Sequence, residues 1–597
     1  MTTVDVAAGF RTRLLAEQWE RALGDPRDPD SVFSPARCAA LDEQDAFPAE
    51  MCAALDAAGL PATYVPTRYG GSLERYDEAF AIMRTVARRD LTAAVAHGKT
   101  YLGAVSAWVG AEPGQARELA GLILDGGVVA WGLTERDHGS DLLAGEVDAR
   151  PTATGYALTG EKWLINNATR SDVVCTLART DPAGGPRGYT LLLADKRRLA
   201  RGAGGYRTLP RVRTHGIRGA DISGIAFEGA EVPADAVVGA PGAGLEIVLK
   251  GLQLTRTLCA SLSLGAGDHA LRLGVDFLGG RSLYGRTLDR LPQARHALGG
   301  SIADLLAAEA AAVVACRAIH TSPGELATSS AVVKYLVPTL VGEAVTGIGK
   351  LLGARAYLQG THDQAGFQKV ERDHRIVGLF DGSTVVNLHA LVNQFGLLTR
   401  GYRRAPADES GAVTAATLTA PLPAFDPARL TLAPTRGCGM VQGLASLLKV
   451  SALPPRTAHL AAELLTATHA LHEELAAHRP SPVAVPAHAF ALAERYAACY
   501  AAVAALRLWT YNHDWVAAAA APRDAALWHD GLWLEACLYR LLERISPGSV
   551  RGDPDSDEVF DRLVGLAASP GVPAGAPGGP VLSLLPAPVR LSGEEGP

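Results

Sequence analysis

Apolar residues recur at helical spacing through the first 128 residues. Pro48 to Leu60 carries one such stripe and stops at Gly59. The loop from Val65 to Gly71 separates it from Tyr76–Ala87, Ala93–Val109 and Gly114–Leu124, which keep the same period. From Val128 the period changes. VVAWGL, YALTGEKWLI, VVCTLART, YTLLLA and GIAFEGAEVP are short, β-branched and aromatic, with Gly, Asp and Pro between them. Helical spacing returns at Leu245 and holds to about Leu398, in segments long enough for an antiparallel bundle.

The pattern therefore predicts a mainly α chain with a central β-domain. The expected units are an N-terminal helical domain over 1–128, a middle β-domain over 129–240 (a barrel or sandwich) and a helical bundle over 241–400. A Pro/Ala/Thr-rich linker follows over 401–429, then an additional helical domain over 430–565 whose core draws on Trp509, Trp515, Trp528 and Trp533. The Pro/Gly-rich tail, 566–597, is expected to be disordered. The strand–helix alternation of a doubly wound nucleotide fold is absent.

Composition narrows the function. A chain of 597 residues is too long for one core. A net charge of −6 gives no reason to expect nucleic acid or an anionic membrane as partner. The longest uncharged tract, 564–589, is broken by Pro and Gly and is not expected to cross a bilayer. Eight scattered cysteines without a CxxC pair argue against a metal site or a disulfide framework, and for the cytoplasm.

The chemistry centres on ERDHRIVGLFDGSTVVN, residues 371–387. Asp381 follows an apolar run and precedes Gly382 and Ser383. A carboxylate there is a candidate general base, and the same Asp-Gly-Ser step is also what a turn or helix cap uses. Other stretches carry binding potential. WGLTERDHGSD (131–141) is a strand end leading into a donor-rich turn, suited to the polar edge of a flat heterocycle. GEKWLINNA (160–168) ends a strand in two Asn, and a strand with a Trp is also ordinary core. RSLYG (281–285) offers an Arg to a phosphate. KLLGARAY (350–357) brings Gly353 to a helix end, where backbone amides meet a pyrophosphate.

In this order and spacing these stretches, with HGIRGADISGIAFEGAEVP (215–233) and GLQLTR before a long helix, resemble the acyl-CoA dehydrogenase family over roughly residues 35–400. The resemblance implies the family's N-terminal helical, middle β-barrel and C-terminal four-helix domains, with FAD between them. It implies that the flavin meets Trp131, Gly132, Leu133, Thr134 and Ser140, then Leu164, Ile165 and Asn166. Arg281, Tyr284, Lys350, Gly353, Ala354 and Ser383 are implied for the nucleotide half, Arg281 acting on a neighbouring subunit's flavin in a homodimer or homotetramer. Ser140, Thr255, Arg256 and Gly382 are implied along the thioester, and Asp381 as the catalytic base.

Several positions depart from the family pattern. Asp381 stands where Glu is usual, Leu164 where an aromatic is usual, and Asn166 where Thr is usual. Lys350 and Ala354 replace a Gln and a Gly, and Pro292 replaces a Gln. No substitute Glu precedes Arg256; Thr255 is there. The implied reaction is α,β-desaturation of an acyl-CoA or acyl-carrier-protein thioester, with electrons passing to an electron-transfer flavoprotein. An oxidase using O2, a flavin monooxygenase on the same fold, and a non-catalytic scaffold follow as alternatives, in that order.

Overall fold

A computed structural model describes residues 5–199, 204–360, 366–404, 409–434, 436–479, 484–550, 552–568 and 578–589. The N-terminal part is helical: α1 (Val6–Ala22), α2 (Pro35–Glu43), α3 (Ala49–Ala57), α4 (Tyr76–Arg89), α5 (Leu91–Gly110) and α6 (Pro113–Leu124). Asp90 starts α5 by accepting the Ala93 N–H at 2.8 Å. Between Leu91 and Gly110 the sole Lys, Arg, Asp or Glu is Lys99, so α5 is buried almost all round.

The β-domain holds β1 (Val129–Gly132), β2 (Asp148–Pro151), β3 (Gly155–Asn166), β4 (Val173–Arg179) and β5 (Tyr189–Asp195). The short α7 (Lys196–Leu199) precedes β6 (Gly205–Leu209), β7 (Ile222–Pro233) and β8 (Val237–Val238). These strands form one sheet in the order β6-β7-β3-β2-β4-β5-β8, with β1 added parallel to β4. The long β3–β7 pair slips register at Leu164, since Trp163 faces Gly224 and Ile165 already faces Ser223. Leu164 is thus an extra residue with φ 56°, a bulge that turns its side chain out of the sheet.

The bundle is built on three long helices: α8 (Gly244–Gly280), α9 (Pro292–Thr321) and α10 (Leu326–Leu352). A small hairpin, β9 (Ser282–Leu283) with β10 (Arg286–Thr287), caps the end of α8. Then come α11 (Gly366–His374) and α12 (Thr384–Val392), packed against α8 and α10. The charged run before Asp381 proves to be the clamp between domains. Arg372 pairs with Asp42 of α2 at 2.5 Å and donates to the His215 carbonyl of the β-domain at 3.0 Å. Asp373 takes Lys369 at 2.7 Å and the Ile217 N–H at 2.5 Å, while Lys369 also reaches Asp90 at 2.7 Å. His374 meets Ser263 Oγ on α8 at 2.8 Å. These bonds fix the chain that leads into Asp381 to all three domains.

Two expectations need correction. The segment read as a linker contains the end of α13 (Phe395–Arg403) and all of α14 (Ser410–Ala416), and Ala415 and Ala416 are fully buried. Small residues suffice there because α14 lies flat on α9, where Arg317 donates to the Ala415 carbonyl at 2.8 Å. Residues 405–408 lie outside the described part. The tail is also ordered where it is described. Over 578–589, Val581, Leu582, Leu584 and Leu585 are buried, and Ser583 Oγ donates to Glu309 at 2.5 Å. Arg272 and Arg523 donate to the carbonyls of Gly579 and Val581. Pro and Gly exclude helix from this strap without excluding burial. Residues 569–577 and 590–597, also read as disordered, lie outside the described part.

The added domain comprises α15 (Gly439–Gln442), α16 (Leu444–Val450), α17 (Pro455–Ala477), α18 (Ala487–Ala519), α19 (Pro522–Trp528), α20 (Leu532–Ile545) and α21 (Pro554–Ala568). It covers α9 and α12. The four tryptophans are buried, Trp528 and Trp533 edge to face at 5.2 Å, whereas Trp515 packs outward onto Phe10 of α1 at 5.3 Å. α18 and the stretch 323–357 are long and apolar enough to cross a membrane, yet most of each is buried within the fold.

Burial also sets a pH limit on stability. His374 and His472 are buried, and desolvation pushes both down to about 4. Their folded values lie below the unfolded value of about 6.5, so the unfolded chain takes up protons first as pH falls. Each contributes stability above about pH 6.5 and loses it toward pH 4, at up to ~1.4 kcal/mol per unit. Thermal unfolding scanned from pH 7 to pH 5 should show a falling melting temperature. A flat profile would contradict this.

Candidate active site

Asp381 sits in the left-handed region, φ 57°, followed by Gly382 at φ 102°. Asp tolerates that conformation better than most residues with a Cβ. Ser383, not Asp381, caps α12 by accepting the Val386 N–H at 3.4 Å. The Asp381 carboxylate is thereby free of the capping role that the Asp-Gly-Ser step also allowed. Its main chain is held instead, because Arg256 Nε donates to the Asp381 carbonyl at 3.0 Å. A Cβ on Gly382 would stand 3.0 Å from the Arg256 guanidinium, so the turn needs glycine for space as well as for φ.

The carboxylate points inward and its side chain is only 7% exposed. Oδ2 lies 3.2 Å from Lys99 Nζ on α5 and 3.1 Å from Cys259 Sγ on α8. Lys99 also stands over the Phe380 ring at 3.6 Å from its centre. Lys334 of α10 donates to the Val377 carbonyl at 2.7 Å. Burial pushes Lys334 down to about 8, against the pull of Cys259 and Asp381. Burial likewise lowers Arg256 and raises the Cys259 thiol far from its usual range. Asp381, Lys99, Thr255 and Cys259 line a cavity of about 50 Å³ whose remaining wall is largely apolar, with Leu73 and Leu262 among its residues. The cavity lies between α4, α5 and α8.

Lys99, Lys334 and Cys259 are site residues that sequence reasoning missed. Two signals were available. Lys99 is the lone charge in an apolar helix, and Cys259 follows Thr255 by four residues, on the same face of α8.

The residues assigned to the flavin ring gather on one strip of the β-domain. Trp131, Gly132 and Ile165 are buried, and Leu133 and Asn166 are half-buried. Leu164 is 45% exposed. Among the described residues, Trp131 Nε1 and both side-chain atoms of Asn166 are buried without a hydrogen-bond partner. Buried polar atoms are rarely left so, and these three suit the polar edge of an isoalloxazine, with the turned-out Leu164 against its face. The strip adjoins the Asp381 cavity. The Trp131 ring is 3.7 Å from where a Cβ on Gly251 would stand, one turn before Thr255. Asn167 Nδ2 donates at 2.7 Å to the Ala96 carbonyl, one turn before Lys99. The Thr134 hydroxyl is used internally, donating to the Trp163 carbonyl at 2.8 Å, and Ser140 is exposed.

The nucleotide set is not brought to this strip. Arg281, Tyr284, Lys350, Gly353 and Ala354 are all exposed, and Tyr284 is 93% so. Arg281 ends α8, 25 residues after Arg256, which is ~38 Å along a helix at 1.5 Å per residue. No side chain spans that distance.

Three models of one family match the chain: the acyl-CoA dehydrogenase N-terminal domain over residues 33–122, its middle domain over 130–230 and its C-terminal domain over 242–395. The chain belongs to the acyl-CoA dehydrogenase family. It is thus an acyl-CoA dehydrogenase-type oxidoreductase with FAD as cofactor. The probable acyl-CoA dehydrogenase FadE25 of Mycobacterium leprae is 26% identical over 347 residues, 58% of this chain and 87% of that one. The human mitochondrial short-chain specific acyl-CoA dehydrogenase is 26% identical over 375 residues, 61% and 86% of the two chains. Butyryl-CoA dehydrogenase from Megasphaera elsdenii shares the fold over 65% of this chain and 98% of its own, with TM-score 0.57 and 21% identity. An acyl-CoA dehydrogenase from Bacillus anthracis, solved with FAD, covers 94% of this chain and 89% of its own, with TM-score 0.66 and 18% identity. The added helical domain of this acyl-CoA dehydrogenase family member therefore has a counterpart in a solved fold.

Proposed function

We propose that this chain desaturates an acyl thioester between its α and β carbons, with Asp381 as the base. The observation that carries this reading is the buried Asp381 carboxylate on the wall of an apolar cavity adjoining the Trp131–Asn166 strip. FAD, held by Trp131 and Asn166 on the β-domain strip, would supply the acceptor for the β-carbon hydride. Asp381 Oδ2 takes the proton from the α carbon, and the electron pair of that C–H bond becomes the new double bond. The α-proton is weakly acidic, so the thioester oxygen needs a fixed donor; the family resemblance assigns the Asp381 N–H to that task. Arg256 holds the Asp381 carbonyl and so aims that N–H. The apolar wall excludes water and gives the acyl methylenes their place.

The carrier is coenzyme A or an acyl carrier protein, whose pantetheine arms are alike. The acceptor of the two electrons is an electron-transfer flavoprotein, with O2 as the other candidate. The eight buried, unpaired thiols suit a reducing compartment, and the cytoplasm is the proposed location. Purified protein should be yellow, its flavin absorbance should bleach when acyl thioester is added without air, and 2-enoyl thioester should form. Colourless protein that does not take up FAD would sink the proposal.

The same reading makes the working unit a homo-oligomer. Arg281 is too far from its own chain's strip to serve it, and it stands beside the exposed Tyr284 at the free end of α8. A second copy would bring these groups to the first copy's flavin. Arg281→Ala should weaken FAD binding ~10-fold or more, the size of one lost charge-assisted phosphate bond. FAD titration measures this, and unchanged affinity would remove the trans role.

A further inference from the structure

The buried charges around Asp381 do not balance. One carboxylate stands among three cations: Lys99 at 3.2 Å, Arg256 on the Asp381 main-chain carbonyl, and Lys334 near the Phe380 ring. Among the described residues, the one ion pair that these three cations make is that of Lys99 with Asp381. Arg256 and Lys334 each have a backbone carbonyl as partner. Lys99 has the Asp381 carboxylate and an aromatic face.

The proposed reaction removes that partner. When Asp381 takes the α-proton it becomes neutral, and Lys99 is left as a buried ammonium with no anion. A buried charge stripped of its partner is strongly disfavoured. An anion supplied by the substrate would give Lys99 a new partner, drawing it away from Asp381 before the proton moves.

We propose that the acyl group carries its own carboxylate and that Lys99 holds it, so that the preferred substrate is a short ω-carboxyacyl thioester. This inference rests on Asp381 being the base. In a reactive complex the Asp381 oxygen lies ~3–3.5 Å from the α carbon. Lys99 Nζ is 3.2 Å from that oxygen. The ammonium is therefore within ~7 Å of the α carbon, which places the second carboxylate roughly two to four bonds beyond it on the acyl chain. That range matches four- to six-carbon dicarboxylic acyl groups. Lys99 is then a specificity-determining residue, and the two electrons still leave through the α,β bond as in the unsubstituted case.

The test compares glutaryl-CoA with pentanoyl-CoA, which differ in the terminal carboxylate. Wild type should favour glutaryl-CoA in kcat/KM by at least ~100-fold, as sites built to pair a polar group discriminate strongly. Lys99→Met should bring the two within ~3-fold of each other, and Lys99→Arg should restore part of the preference. Flavin content and melting temperature would confirm that each variant is folded. A binding measurement adds a readout independent of turnover. Asp381→Asn frees Lys99 from its partner, so calorimetry should show glutaryl-CoA bound ~10-fold tighter than by wild type. Equal wild-type kcat/KM for the two thioesters, or a ratio unchanged in Lys99→Met, overturns this inference while leaving the dehydrogenase reading intact. Wild-type flavin that bleaches with neither thioester overturns both.

Discussion

Asp381→Asn should lower kcat by ~100- to 10,000-fold, the range that a positioned general base supplies. The substitution is nearly isosteric, so its effect isolates the proton. Asn accepts the left-handed backbone as readily as Asp, and the Arg256 bond goes to the main-chain carbonyl, which survives. Gly382 and the Ser383 cap are unaffected. FAD affinity should stay within a few-fold, because Asn166 and Trp131, whose unpartnered polar atoms suit the flavin, belong to the β-domain strip and are untouched. The informative measurement is single-turnover flavin bleaching, followed by quantitation of the 2-enoyl product. Full activity in this variant would show that another group takes the proton. Cys259 is not a ready substitute, since burial, the larger influence on it, still keeps it a thiol once the Asp381 charge is gone.

How far the sequence could be read follows from how local each signal is. The order of domains was legible because the hydrophobic period switches sharply at Val128 and again at Leu245. Asp381 was legible because a carboxylate between an apolar run and glycine is a short-range pattern. The strip itself was legible because Trp131–Thr134 and Leu164–Asn166 lie at strand ends, while their assignment to a flavin came from the family resemblance. The partners of Asp381 were not, since Lys99 is 282 residues away and Cys259 is 122 away. No spacing rule connects a helix of the first domain to a loop between α11 and α12. The charged run 371–375 was visible as charge, yet its work as an interdomain clamp depends on Asp42, Asp90 and Ile217, all distant in the chain. The strap over 578–589 was misread for another reason. Pro and Gly signal the absence of regular structure, and the segment is irregular, but its Val and Leu residues still find a buried groove.

Arg84→Met should destabilise the fold by ~3–5 kcal/mol, the cost of leaving a buried carboxylate unpaired. Arg84 on α4 binds Asp268 of α8 through two bonds, 2.8 and 2.9 Å, and Glu309 of α9 at 2.6 Å. Arg88 adds a bond to Asp268 at 2.5 Å and one to Glu20 of α1, which Arg89 also takes. Every side chain in this network is nearly excluded from solvent, so screening offers little relief. With Arg84 gone, Asp268 keeps Arg88, whereas among the described residues Glu309 keeps the Ser583 hydroxyl alone. A second change should therefore rescue the first: Arg84→Met with Glu309→Gln is expected to recover more than half of the loss, because no unpaired charge remains. Melting temperatures of the wild type, both single variants and the double variant form the cycle that measures this. Purely additive effects would show that the network is not coupled. The functional consequence comes from position, since the same α4 and α8 wall the cavity into which Asp381 points. Loosening their joint should raise KM for the thioester at temperatures below unfolding, while flavin binding on the β-domain strip is retained.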